Sequence, residues 1–180
     1  NYHSAFGEFP MGAALEEGSM WSAFLLPFIE EQSVKDLMNI GHHIVNNNWA
    51  YPSQAYGYPL TGEWKNIEAC ETLIGVYRCP SAGLPEHVAD TSTYPWYVQR
   101  RVPASYLGCA SGATSSQNRP FGLVGTDGVL YGVDVHGDSR YAQYPDGKSV
   151  VSFSKVADGL SKTIAIGEAV PDIQQLLESA

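Results

Sequence analysis

Three cysteines, five histidines and 19 acidic residues are the groups in this chain that could do chemistry, and their spacing limits what they can do. Cys70, Cys79 and Cys109 never fall at the short interval of a zinc or redox motif. Their odd number leaves two arrangements open. One is a single disulfide, Cys79–Cys109 or Cys70–Cys79, with one thiol left over; the other is three buried thiols acting as small apolar residues. Spacing alone does not decide the connectivity. His42 and His43 are adjacent, so on a helix they diverge by about 100° and cannot share a metal as an i, i+4 pair would. Asp134, Asp138 and Asp146 lie in one polar stretch with Gly137 and Gly147, and an oxygen-rich loop can hold calcium. The spacing is not that of an EF-hand, and Asp and Gly are also ordinary turn residues.

Two nucleophile patterns also fall short. Gly108-Cys109-Ala110-Ser111-Gly112 has the outline of a nucleophile elbow, but its central position is Ala110, so a Gly-rich turn is the expected reading. Ser152 and Lys155 have the SxxK interval of serine acyltransferases, which need both on one helical face. The run 150–153 reads as a strand, where residues three apart point to opposite faces. No catalytic set, cofactor site or metal site is expected from these groups. The larger surplus is aromatic: 11 Tyr, 4 Trp and 6 Phe. Trp49, Tyr51, Tyr56 and Tyr58 sit in a Pro- and Gly-rich stretch, and Tyr94, Trp96 and Tyr97 cluster at Pro95. Such rings either pin loops to a core, the plainer reading, or stack on sugars and protein partners.

The elements that must position these groups follow from periodicity. Residues 1–18 read as irregular, punctuated by Gly7, Pro10, Gly12 and Gly18. Trp21, Leu25, Phe28 and Ile29 recur at helical spacing over 19–31, and Pro27 should kink or split that helix. A second helix is expected over 34–46, capped by Ser33 with Asp36 three residues on, and a third over 66–74, stopped by Gly75. From there the period changes to short β-prone runs at 76–79, 105–107, 129–135, 150–153 and 163–166. Asp127-Gly128, Asp146-Gly147 and Asp158-Gly159 read as turns between strands, and antiparallel pairing is expected. Pro171 could open a terminal helix with Ile173, Leu176 and Leu177 inside. With no repeat and no low-complexity linker, residues 1–180 read as one α+β domain, helices first and then an antiparallel sheet with long loops.

The whole-chain balance excludes several classes. At 44% hydrophobic residues the 180-residue chain can bury a core, while 18 Gly, 11 Pro and only 16% charged residues disfavour a helix bundle. A formal net charge of −9 is the opposite of a nucleic-acid binder's footprint and disfavours docking on anionic lipid. The longest apolar stretch, 23–29, is far short of the roughly 20 residues a membrane helix needs. No signal peptide is visible and the first residue is Asn1, so processing or truncation at the front is expected.

Several pieces, in order, resemble one family. Asn1-Tyr2-His3-Ser4 with Gly7, Phe9 and Pro10 form its opening; Trp21-Ser22 and Leu25-Leu26-Pro27-Phe28-Ile29-Glu30 form its early helix. Tyr77-Arg78-Cys79-Pro80-Ser81 and Ala104-Ser105-Tyr106-Leu107-Gly108 follow, with Ala82 where the pattern has an acid. The stretch from Val156 to Glu168 completes the series, with Leu160 and Lys162 departing from the pattern's Thr and Asn. The chain thus resembles the prepilin-like proteins abundant in planctomycete-type bacteria, a domain of unknown function. The resemblance implies a pilin-like head at the cell surface, anchored in the inner membrane before assembly by an apolar helix that would precede Asn1, with type IV pili or type II secretion pseudopilins as the wider class. It also implies a closing His and Asp-Gly element after Glu168, which this sequence lacks; His136 and Asp146-Gly147 share that interval only by coincidence. A filament subunit that associates with its own kind is the function this implies. A surface glycan- or polymer-binding module using the aromatic loops is the alternative, and a hydrolase built from dispersed Ser, His and Asp residues is the third.

Overall fold

The computed structural model of the chain describes residues 2–14, 19–38, 66–89, 100–110, 128–134 and 150–169. In chain order these form α1 (Tyr2–Phe6), β1 (Ala13–Ala14), α2 (Trp21–Leu25), α3 (Gln32–Leu37), α4 (Asn66–Cys70), β2 (Val88–Ala89), β3 (Arg100–Arg101), β4 (Tyr106–Gly108), β5 (Gly132–Val133) and β6 (Ile166–Glu168). Short 3₁₀ turns occupy Leu26–Phe28, Gly75–Tyr77, Phe153–Lys155 and Leu160–Lys162. Mixed α+β is therefore the right class, with every element short. Among the described residues no helix is long and apolar enough to cross a membrane.

The start of the chain departs from the irregular segment expected. Tyr2–Phe6 is helical, and Gly7 ends it: at φ +72° its amide donates to the His3 carbonyl at 2.7 Å, a left-handed stop that costs glycine nothing. Glu8 then bridges Ser152, and the Phe9 amide donates to the Val151 carbonyl at 2.9 Å. The proline break in the next helix falls where expected. α2 runs to Leu25, and Pro27 sits inside a tighter 3₁₀ turn because its ring nitrogen has no proton for the helical ladder. Leu26's carbonyl accepts from both Ile29 and Glu31, and Glu30 at φ 67° closes the segment.

The second helix is shorter than its periodicity suggested. It begins at Gln32 and ends at Leu37, where Met38 is extended at ψ 130°. Ser33 lies inside the helix rather than capping it, and Asp36 accepts from Gln32 Nε2 at 2.7 Å. The expected continuation over 39–46, with His42 and His43, lies outside the described residues, as does the terminal helix after Pro171. α4 ends at Cys70 rather than reaching Ile74, and Gly75 opens a 3₁₀ turn instead of serving only as a stop. The strand expected at 76–79 is therefore wrong: Ile74's carbonyl accepts from Tyr77, and Gly75's from Arg78, which curls the chain.

Pairing is mixed rather than purely antiparallel. β4 pairs antiparallel with β6 in the register Tyr106↔Glu168, Leu107↔Gly167, Gly108↔Ile166, and β2 pairs antiparallel with β3. β1, however, runs parallel to β5, with Ala13 opposite Gly132 and Ala14 opposite Val133. Backbone bonds carry these ladders further. Cys109 donates to Ala165, Leu130 donates to Cys109, and Gly128 donates to Ala110, so residues 128–130 flank the continuation of β4. On the far side of β1, Ala14 donates to Ser19 at 2.7 Å and Ala13 bridges Met20. The segment 128–133 thus links one ladder to the other, and it is buried from Val129 to Asp134. Asp158-Gly159 is the turn it was expected to be, with Gly159 at φ +88° donating to Val156.

Among the described residues two apolar clusters form the core. Leu26, Val34, Ala69 and Ile74 make one between the helices. Trp21, Val129 and Leu130 make the other beneath the ladders, with Phe9, Leu25, Tyr106 and Val151 against it. Tyr77 packs on both.

Candidate functional site

The two clusters meet at Tyr77. Its ring stands edge-on to Trp21, centroids 5.7 Å apart at 76°, and its hydroxyl donates to the Ser22 carbonyl at 2.6 Å. Burial, with a smaller push from the Glu31 carboxylate, raises its phenol to about 12. Next to it Ser105 is fully buried and ties three segments together. Its amide donates to Tyr77's carbonyl, its hydroxyl accepts from the Cys79 amide at 2.9 Å, and its carbonyl accepts from Ala169 at 2.7 Å. Arg78 turns the other way: its guanidinium donates to the carbonyls of Leu84, Pro85 and Glu86 and so shapes the chain leading to β2.

A cavity lies on each side of this junction, and Met20, Ser22, Tyr77 and Ala104 border both. The larger, about 430 Å³, opens over the helical cluster, walled by Leu26, Val34, Ile74 and Val102, with Arg78 and Arg101 on its border. The smaller, about 310 Å³, lies between β1, β4 and residue 130, walled by Trp21, Tyr106 and Leu130. Around it the backbone segments approach so closely that a Cβ has no room. At Gly12 it would collide with the Leu130 carbonyl; at Gly108 it would lie 2.8 Å from the Trp21 ring; at Gly128 it would collide with the Ala110 backbone.

The residues singled out from the sequence do not converge. Cys70, Cys79 and Cys109 are all free thiols, which corrects the disulfide expectation for both candidate pairs. Each is engaged by a different neighbourhood. Cys79's sulfur lies 3.0 Å from the Ser81 hydroxyl, Cys109 belongs to the ladder, and Cys70 ends α4, its carbonyl accepting from Val102. Burial pushes the Cys70 thiol up to about 11 against the lowering pull of Arg101, so it stays protonated and unreactive near neutrality. Gly108, Cys109 and Ala110 form extended ladder rather than the turn expected; Ser111 and Gly112 lie outside the described residues. The strand expected at 150–153 gives way after Ser152 to a 3₁₀ turn, and the Ser152 hydroxyl is 3.0 Å from that of Ser154. Asp134 is buried beside β5, while Asp138 and Asp146 are outside the described residues, as are the aromatic stretches with Trp49 and Trp96. Among the described residues no three His, Cys, Asp or Glu gather as a metal site.

Sequence reasoning missed the roles of Arg78 and Ser105, although both sit in stretches that carried the family resemblance. Those stretches come together in space: Trp21-Ser22, Tyr77-Arg78-Cys79, Ser105-Tyr106 and Gly108 all surround the Trp21–Tyr77 contact. The described residues form a mixed α+β fold in which these motif residues serve packing and backbone ladders. Residues 1–176 match the family described as protein of unknown function (DUF1559), and the chain belongs to that family. No curated protein and no solved structure matches it.

Proposed function

We propose that this domain is the head of a pilin-like subunit, displayed at the cell surface and assembled through an apolar helix ahead of α1. The observation that carries the reading is the way α1 is held. Tyr2 packs on Phe28 at 5.3 Å, Phe6 on Phe28 at 6.0 Å, and His3 stacks on Phe153 at 3.8 Å and 3°. A helix arriving from the N-terminal side would continue into α1, and these rings would fix its direction relative to the body. The motif residues gather at a junction built of ring contacts and backbone hydrogen bonds, which also supports a structural role.

The test is expression of the whole reading frame, tagged, in its native host, followed by shearing of the cell surface. The subunit is expected in the sheared filament fraction, and to leave it when the segment ahead of Tyr2 is deleted. Recovery of the intact protein only as a dispersed cytoplasmic monomer overturns the reading.

A further inference from the structure

The β4–β6 ladder ends in an open edge. Cys109 donates to Ala165 and Ala169 donates to Ser105, so in this register residues 165, 167 and 169 turn their amides and carbonyls toward β4. Those of Ile166 and Glu168 point away from it, and among the described residues no strand pairs with that side of β6. Thr163 is already extended (φ −106°, ψ 126°), which adds Ile164 to the same edge. Exposure alternates along the segment: Ile164, Ile166 and Glu168 face solvent, and the residues between them are half-buried. Ile164 is 70% exposed and Ile166 39%, on an edge where proteins ordinarily place charge, proline or a covering segment.

We infer that this edge is the seam of a symmetric dimer, in which β6 pairs antiparallel with β6 of a second copy of this chain about a two-fold axis at Ala165. The residue pattern selects that occupant, because it is complementary to itself. Read along the exposed positions it runs Lys162, Ile164, Ile166, Glu168: a cation at one end, an anion at the other and two apolar side chains between. Laid antiparallel on its own copy, with Ala165 opposite Ala165, it sets Ile164 against Ile166 and Lys162 against Glu168 at both ends of the seam. A parallel arrangement would set Lys162 against Lys162 and Glu168 against Glu168. The outward amides and carbonyls fall at the same positions, so Ile164 of each copy exchanges main-chain bonds with Ile166 of the other. The Lys162 amide is already taken by the Gly159 carbonyl at 3.0 Å, so this residue contributes its ammonium rather than a ladder bond. The seam lies on the body of the domain and does not depend on a helix ahead of α1.

Sedimentation of the 180-residue chain from about 1 µM to about 1 mM tests this, in ~0.15 M salt so that the net charge of −9 is screened. A reversible dimer is expected, half-associated at ~10–100 µM because one strand pair is a small contact. Lys162→Glu and Glu168→Lys, both at exposed positions, should each weaken it about tenfold by setting like charges opposite one another at both ends of the seam. The double exchange should restore it, which a merely structural role for either residue would not produce. Ile166→Pro removes an amide that the ladder with β4 does not use, and should leave the chain folded and monomeric. A chain still monomeric near 1 mM, which would leave the edge to a different partner, overturns the inference. So does a dimer that ignores the single charge reversals, or one that the double exchange fails to restore.

Discussion

The chain packs in two different ways on the two sides of Tyr77. Under the ladders, main chain meets main chain at Gly12, against the Leu130 carbonyl, and at Gly128, against Ala110, while Gly108 lies against the Trp21 side chain. Between the helices, side chain meets side chain: Leu26, Val34, Ala69 and Ile74 interlock, and beside them the larger cavity remains open. The difference teaches where this fold is rigid. A backbone contact is held by ladder hydrogen bonds on both partners and cannot retreat, whereas a side-chain contact can repack by changing rotamer.

The hardest blow to that contrast should come from Gly12→Ala. Gly12 donates to Tyr131 and accepts from Trp21, so a methyl group aimed at the Leu130 carbonyl can be relieved only by breaking the ladder. A loss of more than about 3 kcal/mol is expected in chemical denaturation, enough to unfold a marginal domain. A loss under ~1 kcal/mol would mean the ladder yields as readily as the helices do. On the helical side, Ile74→Ala should cost about 2 kcal/mol, the low end for such a truncation, because its neighbours already border open space.

The smallest effect belongs to the residue that joins the two sides. Tyr77→Phe removes the hydrogen bond to the Ser22 carbonyl and should cost about 1 kcal/mol near neutrality. Its pH dependence sharpens the comparison. The folded phenol is raised from 10.0 to about 12, so the unfolded chain ionises first. The favourable contribution is whole below pH 10 and is lost as pH rises toward 12. Because the shift from 10.0 to about 12 outweighs the one hydrogen bond removed, stability curves of the wild type and Tyr77→Phe, measured from pH 8 to 12, should draw together above pH 10 and cross before pH 12. The Cys70 thiol, raised from 9.0 to about 11, weakens both proteins alike over its own range and cancels in the difference. Parallel curves throughout would show that the phenol is not held as the structure has it.

Several features were legible from neighbouring residues. Pro27 breaks the helix because it lacks an amide proton, and Asp158-Gly159 turns because glycine accepts a positive φ. Gly7 was recognised as a break but not as the stop of a helix before it, since five residues are too few to show a period. The run at 76–79 misled because Val76 and Tyr77 favour strands, while the chain curls there to place Tyr77 between two clusters. Val76 itself is 59% exposed, so no burial enforces a strand at that point.

By itself the sequence determined the α+β mixture, the net acidic charge, the breaks at proline and glycine, and membership of a family of unknown function. Only the tertiary structure decided that β1 lies parallel to β5, that the three thiols stay apart, that Ser105 and Tyr77 knit the motifs together, and that a cavity opens beside them. Breaks and composition are properties of a residue and its immediate neighbours, which stereochemistry reads directly. Pairing, burial and cavities depend on which distant segments meet, and residues 12, 77, 105 and 130 become neighbours only when the whole chain closes around them.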